Sequence, residues 1–434
     1  MKKKYYRLSE YSYLYSNEYT NVKDEVNILL DKKEFDEIEN FVLENKVDTE
    51  IGVTEFLIPS YKKGIGKLLK SKNYVGLIQT KNNTVIEILP KIYDENTSIT
   101  YEKTIKIFFK MLKNCTDMHF KKYNISDLGT KNINLLDIFI KMFLQELSLL
   151  IKKGIRSGYV SVVENANFYK GKLLMNEQIS NNLIHKEKFY IEHDEYIRNI
   201  AENKIIKSTL LYLNGITNNY SIQNNIRKCL FAMEDVDYSI NIDDDFSKCR
   251  SNRLFSDYDM ILKWCRIFLK KQSFINFKGS SNAYSLLFPM EKVFEKHVAA
   301  CLKQSEYFKN YKIKTQDSAH SLIETPKRFS LRPDIVMKKD GEVFVLDTKW
   351  KLLNNDESSN YGISQSDLYQ MFAYAKKYDS HNIFLIYPIN DMVSKLNKEI
   401  IFNYDESLKL EIVFVDLDNI EESLRKLANR MEII

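Results

Sequence analysis

The chain has 434 residues, 44% of them hydrophobic and 28% charged, with only 12 Gly and 6 Pro. This is an ordinary globular balance, with room for two or three domains and no long flexible linker. The formal net charge of +5 permits contact with nucleic acid but excludes the strong basic excess of a protein that coats it.

Cys115, Cys229, Cys249, Cys265 and Cys301 are odd in number, widely spaced and without a C-x-x-C, which argues against a disulfide framework or a zinc site. The opening MKKKYYRLSEY lacks the apolar core of a signal peptide. The greasiest stretch, 138–151, is interrupted by Lys141 and Glu146 and falls short of the roughly 20 apolar residues of a membrane span. The expected setting is the reducing cytoplasm, with no membrane attachment.

Residues 1–100 read as a β-rich domain. YVGLIQT (74–80) and TVIEILP (84–90), separated by Lys81-Asn82-Asn83, have the form of a hairpin, and 51–61 offers a further strand. Lys62, Lys63, Lys67, Lys70 and Lys72 make a candidate basic patch, although such a run is more often a solvated face. Residues 101–280 read as mainly helical. Apolar residues recur at i, i+3 and i+4 in 101–114 and 134–153, and helices are expected at 194–214 and 249–272, with a short strand-and-turn segment near 156–174. Residues 281–434 mix helices and strands, an α/β pattern. Helices are expected at 289–304, 364–378 and 421–431, and strands at 331–339, 342–351, 382–389 and 410–417.

Chemistry concentrates in the third region. Asp340-Gly341 between two β-rich runs is a strong hairpin signal. If these two residues form the loop, Asp334 lies directly across from Asp347, with Cβ atoms about 4.5–5.5 Å apart. Two facing carboxylates repel, and a divalent cation is an economical compensation. Lys349, two residues on, shares the face of Asp347 and could serve an attacking water or a developing negative charge. An Asp and a Lys on a strand usually do no more than stay solvated; the facing Asp334 shifts the balance. In the helix before this hairpin, Glu291 and Glu295 flank an apolar face of Met290, Val293, Phe294, His297, Val298 and Cys301. In the helix after it, Ser364 and Asp367 fit a capping box, and Gln370 and Tyr374 share a face from which an amide and a phenol could bind a phosphate.

Arg332-Pro333-Asp334 followed by Asp347-Thr348-Lys349 resembles the PD-(D/E)xK nuclease pattern, and Gln370 with Tyr374 resembles the Q-x-x-x-Y element of its RecB-like branch. With the segments 74–92, 171–180 and 193–213, the chain resembles the McrC family, the nuclease subunits of McrBC-type restriction systems, from about residue 50 to the end. The resemblance implies a restriction-endonuclease-like α/β core preceded by a β-rich partner-docking domain and a helical middle. It implies Mg²⁺, with Mn²⁺ as an alternative, held by Asp334, Asp347 and Glu295, with Glu291 as the fallback. Lys349, Gln370 and Tyr374 would complete the catalytic set. It also implies double-stranded DNA as substrate and an AAA+ GTPase of the McrB type as partner, stimulated by this chain. The chain has no G-x-x-x-x-G-K-[ST] of its own. Two rival readings are a stand-alone RecB-like repair nuclease and a catalytically inactive subunit that only assembles and activates the GTPase.

Overall fold

Alternating apolar residues build sheets at both ends of the chain and helical periodicity fills the middle, and a computed structural model shows how these parts combine. It describes residues 4–18, 28–44, 47–49, 52–54, 56–80, 84–92, 101–114, 134–249, 256–269, 283–396 and 398–433. The chain divides into two compact units, one formed by Met1–Lys131 with Ser273–Ile434, the other by Asn132–Gln272.

In the first unit, the expected hairpin forms from Tyr74–Thr80 and Thr84–Leu89. Lys4–Ser9 joins it in parallel along Thr84–Leu89, and Ala283–Pro289 pairs antiparallel with Tyr74–Thr80 on the other side. A strand more than 200 residues further along the chain therefore completes a sheet begun at the N-terminus. A second sheet runs Ile28–Leu30, Tyr13–Ser16, Gly66–Ser71, Leu57–Lys62. Its hairpin carries the lysines of 62–72; Lys67 pairs with Glu39 at 3.3 Å. Leu14, Leu30, Phe35, Ile38, Leu57, Leu69, Ile78 and Ile86 share one core between these sheets and the helix Lys32–Glu44.

Pro289 ends its strand, lacking the N–H to continue a ladder, and the helix Met290–Gln304 follows at once. Its expected apolar face is buried, His297 included. A six-stranded mixed sheet comes next, in the order Lys312–Thr315, Ile335–Lys339, Glu342–Thr348, Asn382–Pro388, Lys409–Val415, Ile400–Asn403. Asn382–Pro388 is central, paired in parallel on both sides and buried along nearly its whole length, which its uninterrupted apolar run requires. The helix Gln365–Tyr378 covers one face through Met371, Tyr374, Ala375 and Tyr378, packed with Val336, Val345, Ile383 and Leu385. Trp350 and Phe294, with ring centroids 5.4 Å apart, join the sheet to Met290–Gln304.

The second unit holds helices Leu135–Lys153, Ala201–Ile216, Tyr220–Phe231 and Ser256–Leu269, with Phe139, Phe143, Trp264 and Phe268 in its core. The sequence expectation of a helix over 194–214 is corrected here. Phe189–Ile197 is a strand paired residue by residue with Gly158–Ala166, and the helix begins only at Ala201. Cross-strand pairs such as Tyr159 with Tyr196, ring centroids 5.1 Å apart, outweigh the helical spacing of 194–197. Gly171 sits so close to the partner strand that a Cβ there would lie 2.3 Å from the Glu192 carbonyl oxygen. Of the expected helix 249–272, Ser256–Leu269 is observed, and 250–255 and 270–272 lie outside the described residues. Among the described residues no helix is long and apolar enough to cross a membrane.

Candidate active site

The site grows from one turn. Asp340 and Gly341 both take left-handed backbone angles, φ +51° and +91°. This tight loop puts Lys339 opposite Glu342, and the ladder continues to Ile335 opposite Leu346. Asp334 and Asp347 stand at the next position outward, on one face of the hairpin's open end, as the two-residue loop requires.

Asp347 is 2% exposed rather than solvated. Its Oδ2 lies 2.7 Å from Lys349 Nζ and takes no well-aligned hydrogen bond. Burial, then the charge of Asp334, pushes its carboxyl well above the ordinary range, with Lys349 opposing. Asp334 is raised too, by burial and then by Glu295. Its Oδ2 accepts from both the backbone N–H and the hydroxyl of Thr348, at 2.8 and 2.7 Å. Burial, then Asp347 among the nearby charges, also raises Glu295. Burial works against the charge of Lys349, yet Asp347 and its acidic neighbours hold its pKa above the ordinary value.

Sequence reasoning missed Gln316. Its Nε2 donates to Glu295 Oε1 at 2.7 Å and to Asp334 Oδ1 at 3.1 Å, joining two carboxylates that would otherwise repel. Its backbone N–H donates to the Asp334 carbonyl, and its φ is +50°. Nothing in the sequence marks it, because its place depends on Lys312–Thr315, a strand without an evident apolar pattern. Asp367 was expected only as a helix cap. Ser364 does cap its N–H, and its carboxylate also lies 3.7 Å from Lys349 Nζ.

From Lys349 a polar chain runs along the helix Gln365–Tyr378. Lys349 Nζ donates to Gln370 Oε1 at 2.9 Å, Gln370 Nε2 to the Tyr374 oxygen at 2.7 Å, and the Tyr374 hydroxyl to the Arg332 carbonyl at 3.2 Å. Glu295, Asp334, Asp347, Lys349 and Gln370 thus line one open cleft of about 830 Å³, with Tyr374 directly behind them. Glu291 is exposed at its edge. The lysines of 62–72 are not among its lining residues; Lys91, Lys292 and Lys351 are.

Among the described residues, no group of three or more His, Cys, Asp or Glu is arranged to hold a metal ion. The site offers instead two strained Asp carboxylates, with Glu295 tied to Asp334 through Gln316. Mg²⁺ commonly takes one or two carboxylates and completes its shell with water and phosphate oxygens. The unaligned, buried Asp347 Oδ2 and the repulsion between the two carboxylates are what such a cation would relieve.

A family model described as McrBC 5-methylcytosine restriction system component matches residues 69–388, well over half of the chain. The chain belongs to the McrBC family. The McrBC match includes every site residue from Glu295 to Tyr374 and the hairpin of 74–89, a narrower span than the resemblance from residue 50 to the end. The fold is similar to that of a chain in a refined half-complex from a tetradecameric assembly of Thermococcus gammatolerans McrB AAA+ hexamers with bound McrC. That similarity has a TM-score of 0.71 at 19% identity and covers 98% of this chain and 100% of that one. A chain in the cryo-EM structure of the Thermococcus gammatolerans McrBC complex matches with a TM-score of 0.50 at 21% identity, over 69% of this chain and 87% of that one. The search of curated proteins gave no match.

Proposed function

We propose that this chain is a Mg²⁺-dependent DNA endonuclease subunit with a PD-(D/E)xK core, which acts with an AAA+ GTPase of the McrB type and stimulates its GTP hydrolysis. One observation carries this reading: two mutually strained carboxylates, Asp334 and Asp347, with Lys349 2.7 Å from the second, in an open cleft. Asp334 and Asp347 would hold the cation, and Glu295 would join them on exchanging its bond to Gln316. When bound, Mg²⁺ or Mn²⁺ would lower the pKa of a water and neutralise a scissile phosphate.

The chain's own groups would do the rest. Lys349, held between Asp347 and Gln370, would orient the attacking water and balance charge gathering on the phosphorus. Tyr374, buried behind the cleft, would hold Gln370 in place, and Gln370, which lines it, would turn its amide to the DNA backbone. The partner assignment rests on family membership and on the Thermococcus gammatolerans assemblies, in which McrC is bound to McrB hexamers. The family description names 5-methylcytosine, so methylated DNA is the first substrate to test.

The deciding experiment incubates methylated and unmethylated plasmid with this chain, its GTPase partner, Mg²⁺ and GTP, beside Asp347→Ala and Asp334→Ala. Cleavage by the wild type alone is the expected result; cleavage by both variants would sink the proposal. A second reading, a catalytically inactive GTPase activator, draws on the lack of a ready three-residue metal group among the described residues. It requires stimulated GTP hydrolysis with every plasmid left intact.

A further inference from the structure

We infer that Glu10 is a positioning residue for the cleft, holding the Trp350 indole and, through it, both Lys349 and the helix that carries Glu295. Glu10 is fully buried, and both its carboxylate oxygens lie 3.0 Å from Trp350 Nε1. It is itself anchored: its backbone N–H donates to the Leu89 carbonyl at 3.0 Å, and its Oε2 accepts from the Lys91 N–H at 3.0 Å. A carboxyl group shut inside a protein carries a desolvation cost unless its oxygens are hydrogen-bonded, and the core around a tryptophan could be closed by an apolar side chain instead. Here the carboxylate supplies the acceptor that a buried indole N–H needs.

Trp350 stands where the cleft's parts meet. It directly follows Lys349, whose backbone N–H donates to the Ile386 carbonyl at 2.9 Å. Its ring packs against Phe294, the residue before Glu295. Glu10, Trp350, Lys349 and Glu295 all line the same cleft. An indole released from Glu10 shifts the Lys349 backbone and the Phe294–Glu295 segment together. Glu10 touches neither the water nor the phosphate of the proposed reaction; it acts on geometry.

The inference rests on the reading of this cleft as catalytic, so the test has two independent readouts. The chain contains only the tryptophans Trp264 and Trp350, and Trp264→Phe leaves Trp350 as the sole indole reporter. In that background Glu10→Gln keeps an acceptor for the indole and Glu10→Leu removes it; Trp350→Phe keeps the ring packing and removes the donor. Each full-length variant is checked for folding by circular dichroism. Its Trp350 emission and acrylamide quenching are then measured, except in Trp350→Phe, and plasmid cleavage is followed with the GTPase partner.

Glu10→Leu should red-shift Trp350 and lower kcat by about tenfold or more with KM nearly unchanged, as displacement of a catalytic group by up to an ångström does. Glu10→Gln should restore both. Glu10→Leu and Trp350→Phe together should lose no more than either alone. A folded Glu10→Leu variant with unmoved emission, or with moved emission and unchanged kcat, overturns the inference. Should the wild type cut no DNA, the catalytic reading falls and Trp350 emission alone decides whether the clamp exists.

Discussion

Asp347 is a side chain that stability alone does not favour. It is buried, repelled by Asp334, and only partly compensated by Lys349. Asp347→Asn removes that repulsion while leaving a polar group of the same size. Without metal, the variant should melt at a higher temperature than the wild type by differential scanning fluorimetry, while cleavage falls by about a hundredfold or more, the scale of losing one transition-state electrostatic group. Glu10 gives a pH signature. Burial lifts its carboxyl from the ordinary 4.5 to about 8, so the folded state holds the proton more tightly than the unfolded chain. Its stabilising effect is complete below pH 4.5 and lost as pH rises through 8. Glu10→Gln should therefore gain stability relative to the wild type across that interval, read from urea midpoints at several pH values. Asp334, Asp347 and Lys349 were legible in the sequence because one short hairpin fixes all three. Gln316, Glu10 and the second role of Asp367 were not, because each acts on a residue set beside it only by the completed fold.

At the scale of elements, local signals served where neighbours in sequence are neighbours in space. The hairpin Ile335–Lys339 with Glu342–Thr348 has the register its two-residue loop dictates, and the helices Met290–Gln304 and Gln365–Tyr378 begin where Pro289 and Ser364 start them. The turn itself can be tested. Gly341 has φ +91° with nothing within 4 Å of an added Cβ, so substitution there costs backbone strain alone. Gly341→Val should destabilise the protein by about 1–2 kcal/mol in chemical denaturation, the penalty for a left-handed side-chain residue. Local signals failed where a distant partner decides. The segment 194–197 has helical spacing but is claimed by Gly158–Ala166, and the parallel pairing of Lys4–Ser9 with Thr84–Leu89 leaves no mark in either strand.

Across the whole molecule, composition and pattern supported a mixed α/β chain of several parts, and the structure shows one. The sequence expectation placed cuts near residues 100 and 280. In the structure the first compact unit takes in both the opening 131 residues and everything from Ser273 on, because Ala283–Pro289 pairs with Tyr74–Thr80. Pairing across more than 200 residues has no periodicity to betray it, and the apolar strands at each end read equally well as belonging to separate domains.

That pairing also sets an order of events on the ribosome. The Asn132–Gln272 unit is fully synthesised once Gln272 has been made, but the sheet begun by Lys4–Ser9 cannot be finished until Ala283–Pro289 has followed. Meanwhile Tyr74–Thr80 offers a bare edge to any other nascent strand. A chain stopped after Gln272 should accordingly be recovered in inclusion bodies or bound to chaperones, whereas the full-length chain expressed alongside it should remain in the supernatant.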